Sequence, residues 1–262
     1  MAKNLIIGRY IKTQSLIHQL DPRTKLISII IFITLLMRST SWQQYLILVA
    51  YTYLAMFLTR IPILIFLKGI RPLLRIIIIT AGLQIFLTSG VNNYWQFGPI
   101  IISEVGVWQA GTIFIRFTLI ILMTSVIGLS TKPLELTAGI AKLLFPLKIL
   151  GLAVADFALM MAIALRFIPT LFEEARRLKA AQEARGMQFD EGNFLVRMRK
   201  VIPLLVPIFV GSFYRAQELA NALDVRGYVG AAKKTQFNQL KFTINDLSCF
   251  LILGVIIISY LL

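Results

Sequence analysis

Apolar runs long enough for transmembrane helices, separated by clusters of basic side chains, constrain the fold of this sequence most strongly. A helix needs about 20 mainly apolar residues to cross a bilayer, and 58% of the 262 residues are hydrophobic. We therefore predict an all-α integral membrane protein with about five transmembrane helices and further cytosolic or interfacial helices. The predicted spans are residues 26–37, 42–59, 72–88, 106–129 and 247–262.

The basic residues set the predicted orientation. Sixteen Lys and Arg side chains lie in 131–241, whereas 89–105, a predicted outer loop, contains none. Because Lys and Arg collect on the cytosolic side of a membrane, we predict a cytosolic N-terminus and an external C-terminus. Three domains follow: an N-terminal bundle of four spans (1–130), a cytosolic and interfacial helical domain (131–241) and a C-terminal transmembrane helix (242–262).

Composition argues against several classes of function. A formal net charge of +15 would indicate nucleic-acid binding in a soluble protein. In a membrane protein the cytosolic bias of basic residues is the better explanation, so we predict no nucleic-acid partner. Cys249 and His18 are the only residues of their types, which leaves no set of Cys or His ligands for a metal. The sequence has no phosphate-binding loop and no zinc-protease or serine-hydrolase motif, so we predict a non-enzymatic chain without a cofactor.

Residues 151–169 test this topology. The segment is about long enough to span a bilayer and is mostly apolar. If it spanned, the basic block after it would face outward, against the charge bias. The segment also carries Asp156 and Arg166. We therefore place it at the cytosolic boundary, packed against protein, and keep a sixth span as the alternative.

Two long charged helices are predicted next. Residues 170–185 consist of good helix formers, and a second helix begins near Asn193. Pro203 and Pro207 each remove a backbone hydrogen bond, which predicts a kink or break in that second helix. Two ion pairs are predicted at i,i+4 spacing: Glu173–Arg177 and Lys179–Glu183.

Both helices end in Arg-Gly, at Arg185-Gly186 and at Arg226-Gly227. One interpretation is local, because a basic last turn and a following glycine commonly end a helix. The other is functional: an arginine at a helix end can enter a groove of a partner and form bidentate bonds to carboxylate or carbonyl oxygen. For Asp224 the local interpretation is a solvated charge.

Arg116 lies inside the predicted fourth span. The favoured interpretation is that its long side chain extends to the interface or pairs inside the bundle. The alternative is a role in an ion pathway, since charged residues within spans often line one.

Four segments resemble a known family. They are Leu20-Asp21-Pro22-Arg23-Thr24-Lys25, Ala164-Leu165-Arg166-Phe167-Ile168-Pro169, Ala184-Arg185-Gly186 and Ala222-Leu223-Asp224-Val225-Arg226-Gly227-Tyr228. In this order they are similar to the motifs of the transmembrane coupling (T) component of energy-coupling factor transporters, the EcfT family. These are bacterial importers of vitamins and cobalt.

The resemblance implies a multi-pass scaffold in the bacterial cell membrane, which couples ATP hydrolysis in two ATP-binding-cassette ATPases to movement of a small vitamin-binding membrane protein, the S component. The implied ATPase-binding residues are Ala184, Arg185, Gly186, Ala222, Asp224, Arg226 and Gly227. The implied contacts to the S component are Leu143, Leu147, Ala155, Leu159 and Ala162. The alternative is a permease or secondary transporter that binds substrate itself, which would need polar or broken spans. Membrane lipid is the remaining expected partner.

Overall fold

The computed structural model describes residues 10–88, 93–97, 100–150, 153–189, 191–228 and 242–261. Within these ranges the elements are α1 (Leu16–Gln19), α2 (Pro22–Arg38), α3 (Trp42–Leu58), α4 (Ile63–Leu87), β1 (Asn93–Phe97), β2 (Ile100–Ser103), α5 (Glu104–Ser130), α6 (Pro133–Leu143), a 3-10 helix (Phe145–Leu150), α7 (Val154–Ala184), α8 (Phe194–Val225) and α9 (Ile244–Leu261). Helices dominate, so the predicted all-α class is confirmed; the two short strands are its only exception within the described ranges.

The chain divides into two compact units. The first unit, Met1–Leu143 with Leu240–Leu262, contains α1 to α6 and α9. The second unit, Leu144–Gln239, contains α7 and α8. Gly139 of α6 packs closely on α2, because a Cβ added there would lie 3.0 Å from Pro22 Cβ. The division into functional domains at residues 130 and 241 stays a prediction.

The core of the first unit is built from apolar side chains of α1 to α5 and α9. Phe32 and Leu36 of α2 are fully buried, together with Leu48 of α3, Val126 of α5 and Leu253 of α9. Helix α2 begins where Asp21 and Pro22 predict: the Asp21 Oδ1 atom accepts a hydrogen bond from the Arg23 backbone N–H at 2.9 Å. Local residue types therefore determine where this helix starts.

Large apolar side chains also point away from the first unit. Phe57 of α3 and Ile78, Ile79 and Leu87 of α4 are all exposed. A surface of this kind is stable against lipid and unfavourable in water. By length and composition, α5 and α7 are able to cross a membrane, and α9 is a shorter apolar helix. The placement of residues 151–169 at the cytosolic boundary stays a prediction, with a sixth span as its alternative.

Prolines interrupt the helices less than the sequence predicts. Of the predicted kink or break in α8, the break is absent, because α8 continues through Pro203 and Pro207; the kink stays a prediction. Helix α7 likewise passes through Pro169, so residues 151–169 and 170–185 do not form separate helices. Helix α4 begins at Ile63, nine residues before the predicted start of the third span, and contains Pro72. Apolar helices tolerate proline because small local adjustments and neighbouring groups satisfy the freed carbonyl groups.

A β-hairpin occupies part of the predicted outer loop. Strands β1 and β2 are antiparallel, with Trp95 opposite Ile102. The hairpin leads directly into α5 through Ser103, whose Oγ accepts from the Gly106 N–H at 3.0 Å and donates to the Thr88 carbonyl at 2.7 Å. One serine thus caps α5 and ties it to the end of α4.

Buried polar groups join segments of the first unit that are distant in sequence. The Asp246 side chain is buried; its Oδ1 accepts from the Asp21 N–H at 2.9 Å and its Oδ2 from the Thr243 N–H at 2.7 Å. Lys25 Nζ donates to the Ser130 carbonyl at 3.2 Å, near the C-terminal end of α5, where a cation is favourable. These bonds tie the start of α2 to α9 and α5.

Replacement of Asp246 by alanine is expected to destabilise the first unit. The change leaves the Asp21 and Thr243 N–H groups without their acceptor, at a cost of about 2–4 kcal/mol for the two together. Thermal unfolding of the purified protein should shift to a lower temperature, and Asp246→Asn, which keeps one acceptor oxygen, should show a smaller shift. An Asp246→Ala protein as stable as the wild type would contradict this role.

Candidate functional site

The α7–α8 contact, formed by Glu174, Gly211 and Arg215, joins the two long helices of the second unit. The Arg215 Nη2 atom donates a hydrogen bond to Glu174 Oε2. The two side chains are 27% and 28% exposed, so water screens the ion pair only partly. Gly211 lies one turn before Arg215, and a Cβ added to it would lie 3.2 Å from Glu174 Oε1. Glycine therefore leaves room for this ion pair.

Helix α7 ends in a Schellman motif built on Gly186. The Gly186 N–H donates to the Glu183 carbonyl at 2.9 Å, and the Met187 N–H donates to the Gln182 carbonyl at 3.0 Å. Gly186 has φ of +87°, which non-glycine residues adopt only with strain. The motif satisfies the last carbonyl groups of the helix and places Arg185 at its C-cap.

Helix α8 ends in the same way. The Gly227 N–H donates to the Asp224 carbonyl at 2.9 Å, and the Tyr228 N–H donates to the Leu223 carbonyl at 3.0 Å. Gly227 has φ of +69°, and Arg226 is the C-cap. The local interpretation of the Arg-Gly pairs is therefore correct for the glycines at both helix ends.

We call the two helix ends, Ala184–Gly186 and Ala222–Gly227, the arginine tips. All seven residues predicted to bind ATPases lie in them, and each of these residues is exposed. Among the described residues, no carboxylate lies within 4.0 Å of the Arg185 or Arg226 guanidinium, and Asp224 has no ion pair although it is two residues from Arg226. The Schellman motifs account for the glycines, because they require a positive φ. They make no use of the arginine side chains.

The arginine tips lie at equal distances along their helices from the α7–α8 contact. Eleven positions separate Glu174 from Arg185, and eleven separate Arg215 from Arg226. At 1.5 Å per residue each arm is about 16 Å long. The second unit thus carries two stiff arms of the same length, each ending in an exposed guanidinium group.

The residues predicted to contact a membrane partner lie in both units. Ala155, Leu159 and Ala162 occupy one face of α7, at i, i+4 and i+7 spacing, and none of them is buried. Leu143 ends α6 in the first unit. The side chain of Leu147 lies outside the described residues. Along α7 the only buried residue is Val154, which leaves its apolar N-terminal half available to lipid or to another chain.

Sequence reasoning missed the α7–α8 contact. The predicted pair Lys179–Glu183 is present at 3.5 Å. Among the described residues, Glu173 and Arg177 form no ion pair. The pair between Glu174 and Arg215 joins residues 41 positions apart. Its one indication in the sequence is Gly211, because glycine is a poor helix former and yet lies inside a long helix.

Comparisons with known proteins identify the family of the chain. Residues 13–237 match the family model CbiQ, described as a cobalt transport protein. The chain is 42% identical over 255 residues to the energy-coupling factor transporter transmembrane protein EcfT 1 of Listeria monocytogenes, covering 97% of this chain and 96% of the relative. It is 41% identical over 262 residues to the EcfT protein of Bacillus subtilis, covering 100% and 98%. The chain belongs to the EcfT family, the transmembrane components of energy-coupling factor transporters.

Proposed function

We propose that this transmembrane component transmits ATP-driven motion from two partner ATPases to a small substrate-binding subunit in the membrane. One observation carries the proposal. From the ion pair between Glu174 and Arg215, each helix continues for eleven residues and ends in an exposed arginine. A guanidinium group without an ion pair suits a carboxylate or carbonyl-lined groove on another protein. Two such groups on arms of one length suit two copies, or two homologues, of one partner.

The apolar part of α7 is the proposed contact for the substrate-binding subunit. Ala155 and Ala162 are small, and small residues on one helix face allow another helix to approach closely in a membrane. Leu159 lies between them on α7. Leu143, in the first unit, and Leu147 are proposed as further contacts to the same subunit. In this scheme the substrate, a vitamin or other micronutrient, is bound by the partner.

The chain itself is proposed to be non-catalytic, with ATP hydrolysis carried out by the two ATPases. Its sequence lacks a phosphate-binding loop, so nucleotide recognition needs another chain. We propose a cytosolic N-terminus and an external C-terminus, because the basic residues between 131 and 241 then face the cytosol.

Purification of the tagged chain from its bacterial host tests the proposal. We expect two ATP-binding-cassette ATPases and a small apolar membrane protein to be recovered with it and identified by mass spectrometry. Liposomes containing the complete complex should take up substrate when ATP is present on the ATPase side. Uptake by liposomes that contain this chain alone would instead support a permease that forms its own pathway.

A further inference from the structure

A recess lined mainly by apolar surface, with a few polar groups, lies beside the turn between α2 and α3. It has a volume of about 330 Å³, within the range of small-ligand sites. Ser39, Tyr45, Trp108, Gln109 and Arg116 are among the residues that line it. The recess belongs to the first unit and contains none of the residues assigned to ATPases or to the substrate-binding subunit.

Arg116 is held at this recess by neutral groups. Its Nε donates to the Tyr45 hydroxyl at 2.8 Å, and its Nη2 donates to the Ser39 carbonyl at 2.8 Å. The Tyr45 hydroxyl donates to the same carbonyl at 3.0 Å, and the guanidinium carbon lies 5.8 Å from the centre of the Tyr45 ring. Among the described residues, no carboxylate lies within 4.0 Å of Arg116. The guanidinium group is therefore held in position by hydrogen bonds, and no carboxylate among the described residues neutralises its charge.

The remaining hydrogen-bonding capacity of the recess consists largely of donors. Arg116 Nη1 makes no hydrogen bond to another described residue. The Gln109 carbonyl oxygen accepts from Gln84 Nε2 at 2.9 Å and from the Thr88 hydroxyl at 3.2 Å, so its amide nitrogen remains as a donor. The exposed Trp108 adds an indole N–H. A fixed cation with spare donors lining the same recess has the chemistry of an anion site.

We propose that this recess binds the phosphate group of an anionic phospholipid headgroup. Arg38, Ser39, Thr40 and Ser41 make the α2–α3 turn polar, which places the recess near headgroup level in a membrane. Guanidinium groups bind phosphate oxygens through paired N–H donors. The phosphate neutralises Arg116, and the acyl chains lie along the exposed apolar side chains of the neighbouring helices. Free inorganic phosphate has the same binding chemistry and is the other source of the group.

Titration of the full-length chain, in complex with its partners in phosphate-free maltoside detergent, tests the site. Native mass spectrometry would count bound phosphatidylglycerol, and a parallel titration would add inorganic phosphate. We expect Arg116→Gln to weaken phosphatidylglycerol binding about tenfold. Arg38→Gln removes the same charge from the adjacent turn outside the recess, and its binding should stay within about threefold of wild type. Displacement of phosphatidylglycerol by millimolar phosphate would overturn the lipid assignment in favour of a free anion, whereas lipid binding that phosphate leaves unchanged would support it.

Gln109→Glu provides a second variant if Arg116→Gln fails to fold. It keeps oxygen acceptors for Gln84 and Thr88 but places a negative charge in the recess, so phosphate and phosphatidylglycerol should both bind more weakly. Wild-type binding of phosphatidylglycerol by Gln109→Glu, or by a folded Arg116→Gln, would overturn the proposal. An equal loss of binding in Arg38→Gln would also overturn it, because a diffuse surface attraction would then explain the result.

Discussion

Replacement of both Arg185 and Arg226 by glutamate is expected to reduce recovery of the ATPases to background while the chain remains in the membrane. Both side chains are exposed and have no ion pair among the described residues, so the change removes no ion pair from the second unit. Truncating one partner of an interfacial charge pair costs about 2–5 kcal/mol. Reversing the charge at both arginine tips should therefore weaken ATPase binding by more than about 100-fold, measured by co-purification and by titration with isolated ATPases.

A matched variant distinguishes the effect of changing the arginine tips from the effect of changing the net charge. Arg177→Glu with Arg199→Glu places one reversal on α7 and one on α8, both at exposed positions away from the tips. This control should recover nearly wild-type amounts of ATPase. Retention of the ATPases by the double tip variant, or equal loss in the control, would argue against binding through Arg185 and Arg226.

Reversal of Arg215 to glutamate is expected to uncouple ATP hydrolysis from transport. The change places two carboxylates at the α7–α8 contact in place of an ion pair with Glu174. A charged hydrogen bond that water screens only partly is worth about 2 kcal/mol, which lowers the equilibrium constant for correctly joined helices roughly 30-fold. Hydrolysis by the assembled ATPases should continue, whereas ATP-driven uptake into liposomes should fall at least tenfold.

The exchanged pair, Glu174→Arg with Arg215→Glu, should restore much of the uptake, because it re-forms the ion pair in reverse. Lys179→Glu makes the same change of charge in the exposed pair with Glu183, where ion pairs contribute little, and should leave uptake nearly unchanged. Failure of the exchanged pair to exceed Arg215→Glu alone would indicate that the ion pair is not what joins the arms.

The arginine tips could be predicted from residue types because they depend on local rules. An arginine before a glycine specifies a helix end with little reference to the rest of the chain. The same is true of Asp21-Pro22 at the start of α2. Proline rules were less specific: Pro203 and Pro207 predicted a kink or a break, and the structure excludes only the break, because α8 is one helix of 32 residues.

Long-range contacts could not be predicted in this way. The partner of Glu174 depends on how α7 and α8 pack, and nearer basic residues such as Arg177 offered a local alternative. Arg116 illustrates the same difficulty. The sequence places it within a predicted span and favours either extension to the interface or pairing inside the bundle. Its neutral partners Tyr45 and Ser39 depend on packing between α5 and the α2–α3 turn.

The link between Asp246 and Asp21 has a consequence for biosynthesis. The two residues are 225 positions apart, and Leu253 of α9 completes a core to which α2 contributes Phe32. During translation, part of the core-facing side of α2 therefore has no packing partner in the bilayer until α9 has been synthesised. At an elongation rate of about 5–20 residues per second, this interval lasts roughly 10–45 seconds. Insertion chaperones and proteases have that long to act on the nascent bundle.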